Sequence, residues 1–212
     1  MTHWTDEAAY ASFLREIRHF HMPVHLLVGN HDDTRAFADA FLEALGDGNG
    51  FVQTYFETDS RRFVLLDTKS QKGHAGAHCA ARRDRLARAL DSTDAPLFLL
   101  LHRQPLQTGI AAMDRIMLQD VDLFYDVIEP HKARIRHLFF GHVNRAIFGN
   151  WRGINFSYMR GLSHQLSLDL DGSPDRIARN LETPAYGVVL LSEDQTNGHL
   201  HDFIDASNQF LL

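Results

Sequence analysis

Leu97-Phe98-Leu99-Leu100-Leu101 is an unbroken apolar run set between Pro96 and His102. A strand with one wet face alternates polar and apolar residues, whereas a continuous run marks a strand buried on both faces. A fold built on such a strand must cover it from two sides, and the flanking sequence carries the means. Helices are predicted over Ala8 to Phe20, from Asp33 or Thr34 to about Leu45, over Ala80 to Leu90 and over Leu118 to Ile128. Between them lie strands at Val24 to Val28, at Phe51 to Phe56 with Phe63 to Leu66 as a hairpin, and at Ile135 to Phe140. From Arg145 onward short runs at Ala146 to Phe148, Ile154 to Tyr158, Leu166 to Leu170, Tyr186 to Ser192 and His199 to Ile204 read as an antiparallel meander. The pattern predicts a layered α/β sandwich with mixed sheets, folded as one domain over 1–212.

Charge and cysteine content narrow the function. Lys and Arg number 21 against 27 Asp and Glu, a net charge of -6, which disfavours a general nucleic-acid or membrane-surface binder because both need clustered cations. Cys79 stands alone, so neither a disulfide framework nor a cysteine zinc site can form, and a cytoplasmic location is expected. The first residues lack the basic start and apolar core of a secretory signal. Fourteen histidines, by contrast, point toward metal or acid-base chemistry.

The histidines gather at strand ends, where open α/β sheets bind ligands. Val24 to Val28 delivers Gly29-Asn30-His31-Asp32, the apolar run delivers His102-Arg103-Gln104-Pro105, and His137 to Phe140 delivers Gly141-His142-Val143-Asn144. Imidazole nitrogen and amide oxygen suit divalent manganese, iron or zinc. Gly29 and Gly141 are expected to turn the backbone sharply off each strand, and the helix starting near Asp33 to offer an amide-rich N-terminus to an anion. Arg103 and Arg145, each beside a strand-end motif, are candidates to hold a phosphate oxygen. His25 reads as a core residue of its strand, and His74 and His78 as solvated.

These three blocks, in this order, resemble the calcineurin-like metallophosphoesterases. The Asn30-His31 loop is similar to that family's most specific motif, His102-Arg103-Gln104-Pro105 to its His-His-Pro-Pro element, and Gly141-His142-Val143-Asn144 to its Gly-His-x-His element. Trp151-Arg152-Gly153 and Gly161-Leu162-Ser163-His164-Gln165 resemble the cyclic-nucleotide and glycerophosphodiester phosphodiesterase branch, and the likeness runs from about Asp6 to Phe203.

The resemblance implies an α/β/β/α sandwich with two mixed sheets and a two-metal site for hydrolysing small phosphodiesters by metal-activated water. It assigns Asn30, His102 and His142 to the second metal, Asn144 to the place of a first-metal histidine, and His31 to the phosphoryl group or the leaving oxygen. For His164 the resemblance implies a place beside the substrate, with a structural role as the alternative. The family's Asp-x-His and Gly-Asp strand ends have no counterpart before Asn30, so the chain resembles a member lacking its first strand units. The expected cofactors are therefore Mn, Fe or Zn ions, two in the family and one or none here. The alternative function is an impaired family remnant with a binding or interaction role. The expected partner is a small phosphoester, and a sheet edge left uncovered would favour a homo-oligomer.

Overall fold

The structure is a computed structural model that describes residues 6–41, 48–204 and 207. Helix α1 (Glu7–Ile17) starts at Asp6, whose carboxylate accepts the amides of Ala8 and Ala9. Helix α2 (Thr34–Ala40) starts at Asp33 in the same way, through Arg35 and Ala36. The predicted extension of α2 toward Leu45 enters 42–47, outside the described residues. Strands β1 (Thr54–Thr58) and β2 (Arg61–Leu66) form the expected hairpin, turned by Asp59 and Ser60 at φ 47° and 61°. Then follow α3 (Ala80–Asp91), β3 (Leu97–Leu101), the short α4 (Ala111–Asp114), α5 (Val121–Ile128) with a 3-10 turn over Glu129–Arg134, and β4 (Ile135–Phe140). The remainder is strand: β5 (Ile147–Trp151), β6 (Ile154–Tyr158), β7 (Gln165–Leu166), β8 (Arg179–Asn180), β9 (Ala185–Leu191) and β10 (Thr196–Asp202).

Six strands form a mixed sheet in the order β1-β2-β3-β4-β6-β5. The inner pairs β2/β3, β3/β4 and β4/β6 are parallel, and antiparallel β1 and β5 close the two ends. Strand β3 lies at the centre, with Leu97, Leu99 and Leu101 fully buried, as its continuous apolar run requires. On one face Leu86 and Leu90 of α3 and Phe124 and Ile128 of α5 pack against Val64, Leu66, Leu99 and Leu138. Along the other face Phe56, Phe63 and Phe98 stack at 4.9 Å between successive ring centroids, and Phe139 continues the row at 6.4 Å. Strands β7 with β8, and β9 with β10, pair as separate antiparallel ladders.

Three expectations are corrected. Val24 to Val28 runs extended but joins no ladder among the described residues, since none of them offers a strand alongside it. Its buried end, Val28, packs instead with Tyr10, Phe37, Phe41 and Val52 in a second small core. His25 is not a core residue: it is exposed and stacks on Phe56 at 3.7 Å. His78, expected in solvent, is fully buried with its ring edge-on to Phe124, because the loop before α3 folds under α5.

Candidate active site

The parallel strands β3 and β4 end side by side, so His102 and His142 emerge as neighbours with ring centroids 5.1 Å apart. The Asn30-His31 turn arrives from the second core. Its base is Asp32, buried, which accepts the Tyr10 hydroxyl at 2.9 Å and the Gly29 amide at 2.8 Å. Asn30 Oδ1 then lies 2.8 Å from His102 Nε2, across 72 positions of sequence.

Glycine is needed here for proximity. A Cβ on Gly29 would lie 3.2 Å from His102 Cε1, and one on Gly141 would lie 3.1 Å from His102 Nδ1. The two glycines thus bracket the imidazole from either side. The sharp turn expected at Gly141 falls one residue later: His142 has φ 68° and Asn144 φ 49°, both in the left-handed region that side chains adopt at a cost of order 1–3 kcal/mol. A second close approach holds Asn144, whose Cγ would sit 2.9 Å from a Cβ on Gly161. Gln165 fixes that glycine through its amide and carbonyl at 2.8 and 2.7 Å.

Both strand-end histidines are neutral at neutral pH. Burial lowers the His102 pKa to about 3, with Arg103 and His31 adding to the effect. Burial also pushes His142 far below the usual imidazole value, reinforced by His102 and Arg103.

Arg103 is 1% exposed. Its Nη1 donates to the carbonyl of Ile116 at 2.7 Å and to His142 Nε2 at 2.6 Å, and its Nη2 donates to the carbonyl of His74. A guanidinium has no acceptor, so the Nε2 lone pair of His142 accepts the hydrogen bond and the ring's own hydrogen sits on Nδ1. The expected role of Arg103 in gripping a phosphate oxygen does not match this burial, which turns both Nη atoms to partners inside the protein. Arg145 donates to the Leu166 carbonyl at 2.9 Å and faces Glu182 at 3.4 Å. The expected anion seat at α2 is likewise closed, because Asp33 takes its first amides. His164 is half-buried, with Nδ1 3.0 Å from Ser163 Oγ, in the loop that carries Gly161 to Asn144.

The motifs imply a metal centre that these donors would have to form. Two donors on one divalent ion with bonds of ~2.1 Å lie ~3 Å apart when adjacent; Asn30 Oδ1 and His102 Nε2 have that spacing, but as a hydrogen bond in which Nε2–H donates to the amide oxygen. His142 fails, because its free lone pair is held by Arg103. None of Asn30, His102, His142 and Asn144 is a carboxylate, and among the described residues no three His, Cys, Asp or Glu side chains are grouped to hold an ion. Folded this way, the residues do not fit a two-metal centre.

Sequence reasoning missed Asp32 as the base of the Asn30-His31 turn and Gly76 as the platform under Arg103. A Cβ on Gly76 would meet Arg103 Cβ at 2.9 Å. The Gly-rich stretch around Lys72 to Gly76 was the available signal for Gly76.

The mixed sheet, with two histidine loops at its edge and the Asn-His turn against them, is an α/β fold that solved structures share. A dimetal phosphatase from Danio rerio superposes with a TM-score of 0.68 over 94% of this chain and 76% of its own, at 14% identity. A Thermus thermophilus protein, TT1561, does so at 0.52 over 85% of this chain and 81% of its own, at 13% identity. The chain belongs to the cyclic nucleotide phosphodiesterase family: it is 37% identical, over its whole length and 78% of the relative, to a probable cyclic nucleotide phosphodiesterase of Rhodopseudomonas palustris. The 3',5'-cyclic adenosine monophosphate phosphodiesterase CpdA of Escherichia coli is 29% identical over 70% of this chain. The chain spans 53% of that relative's length. No protein-family profile matches the chain. Among the described residues, no helix is long and apolar enough to cross a membrane.

Proposed function

We propose that the chain acts on small phosphodiesters, of the cyclic nucleotide or glycerophosphodiester type, and hydrolyses them to monoesters at the cluster of Asn30, His31, His102 and His142. The observation that carries this reading is the meeting of the Asn30-His31 turn with two strand-end loops, with Asn30 2.8 Å from His102 and His102 beside His142. Relatives named as cyclic nucleotide phosphodiesterases and as a glycerophosphodiester phosphodiesterase support the substrate class. In this reading His31 gives a proton to the leaving oxygen, a role suited to imidazole near neutral pH. His164 lies along the substrate's approach. A divalent ion, Mn, Fe or Zn by the chemistry of imidazole and amide donors, is part of the proposal on the strength of the dimetal phosphatase neighbour, and it would require Asn30 and His102 to give up the hydrogen bond between them.

One observation favours a second reading, an impaired family member that binds phosphoesters or a partner: the lone pair of His142 is already occupied by Arg103. Turnover of bis(4-nitrophenyl) phosphate with Mn²⁺ or Zn²⁺ separates the two. The first reading expects release of nitrophenol by the chain and a loss of at least about 100-fold in His102→Ala. Equal turnover in both proteins would remove the cluster from the chemistry.

A further inference from the structure

We propose that Arg103 is an internal cation that closes the metal position at His142, so that a divalent ion fills this site only by displacing the guanidinium. The inference rests on the proposed reading of Asn30, His102 and His142 as metal donors, and it names what controls their occupancy.

The side chain is built in. Its backbone amide donates to Thr68 Oγ1 at 2.9 Å, its stem lies against Gly76, and its two Nη atoms reach the carbonyls of Ile116 and His74. Gly76 is itself tied down, by its amide to the carbonyls of Ile116 and Met117 and by its carbonyl to the amide of Gln119. The two hydrogens on Nη1 are therefore directed by fixed groups, one to Ile116 and the other to His142 Nε2. Burial lowers the Arg103 pKa to about 10, which leaves the group charged at neutral pH.

A neutral imidazole has one lone pair. It cannot serve the guanidinium and a metal together, so the two cations compete for one atom. Losing the contact would leave a buried charge with one acceptor fewer, which weakens the ion's net affinity. Glycine at position 76 is a condition of this arrangement, since a Cβ there would push the Arg103 stem away.

Zn²⁺ binding, measured by calorimetry on the wild-type chain, Arg103→Met, His102→Ala and the double variant, tests the proposal. Methionine keeps the stem that packs on Gly76 and removes the charge. Arg103→Met is expected to bind Zn²⁺ about 10-fold or more tightly than wild type, with the gain lost in the double variant. Equal or weaker binding by Arg103→Met, still abolished by His102→Ala, would overturn the role of Arg103 while keeping the metal reading. Binding untouched by His102→Ala in either background would overturn both. Nitrogen NMR of the wild-type chain gives a readout that needs no variant to fold: His142 is expected as the Nδ1–H tautomer, with Nε2 unmoved by Zn²⁺ levels that already shift His102. A His142 protonated on Nε2, or one that shifts together with His102, would contradict the proposal.

Discussion

Asp67 and Arg82 form a buried ion pair: Arg82 Nη1 lies 3.4 Å from Asp67 Oδ1, with the two side chains 3% and 1% exposed. Asp67 follows β2 directly, and the same Nη1 donates to the carbonyls of Asp67 and Lys69 at 2.8 and 2.9 Å. Burial raises the carboxyl's pKa, while the amides of Lys69 and Val52 and the charge of Arg82 oppose the rise. The pair thus fixes where β2 turns toward Thr68, which holds the backbone of Arg103. Removing one partner strands the other in low dielectric, so Arg82→Met is expected to lower unfolding free energy by about 3–5 kcal/mol in urea titrations.

Glycine 141 is predicted to tolerate no side chain without loss of site geometry. In Gly141→Ala the new methyl would press on His102 Nδ1 from 3.1 Å and turn the ring off Asn30. Phosphodiesterase turnover is expected to fall by about 100-fold, on the scale of a 1 Å misplacement, while circular dichroism stays that of wild type. Unchanged turnover would show that the ring has room to move.

Tyr10 links the second core to the Asn30-His31 turn through Asp32. Tyr10→Phe keeps the ring and deletes the donor, leaving the buried carboxylate with the Gly29 amide as its remaining described hydrogen bond. Thermal and urea unfolding are expected to show a loss of about 1–3 kcal/mol.

His78 makes stability depend on pH. Burial, together with Arg82 and Arg83, lowers its folded pKa to about 3, below the ~6.5 of an unfolded histidine. Its ring nitrogens have no hydrogen-bond partner among the described residues. Because the unfolded chain takes up the proton first, this contribution is complete above about pH 6.5 and is lost as pH falls toward 3, at up to about 1.4 kcal/mol per pH unit. Urea titrations between pH 7 and pH 4 should show a steeper loss in wild type than in His78→Gln.

How much of this was legible in the sequence depended on whether a residue's environment is local. Strand β3 falls on the apolar run, because burial on both faces needs an uninterrupted run. The meeting of His102 and His142 was also readable, since parallel neighbours deliver their C-terminal ends to one edge, whereas Asn30 reaches them from outside the sheet. Val24 to Val28 misled, because a strand is defined by its neighbour as much as by its own residues. The burial of His78 and Arg103 depends on how the 68–78 loop and the 104–119 segment fold back on each other, a long-range packing that no period in the sequence encodes. The left-handed turn at His142 and Asn144 was hidden too, as the adjacent Gly141 is the residue that sequence rules would have bent.

Phosphorus NMR of a 3',5'-cyclic nucleotide incubated with the chain and Zn²⁺ tests the central claim most directly. A phosphomonoester signal growing with wild-type protein, and slowed by at least about 100-fold in His31→Ala and His102→Ala of unchanged fold, is the predicted result. A cyclic nucleotide left intact by wild type, or consumed equally fast by both variants, would contradict the assignment of phosphodiester hydrolysis to this cluster.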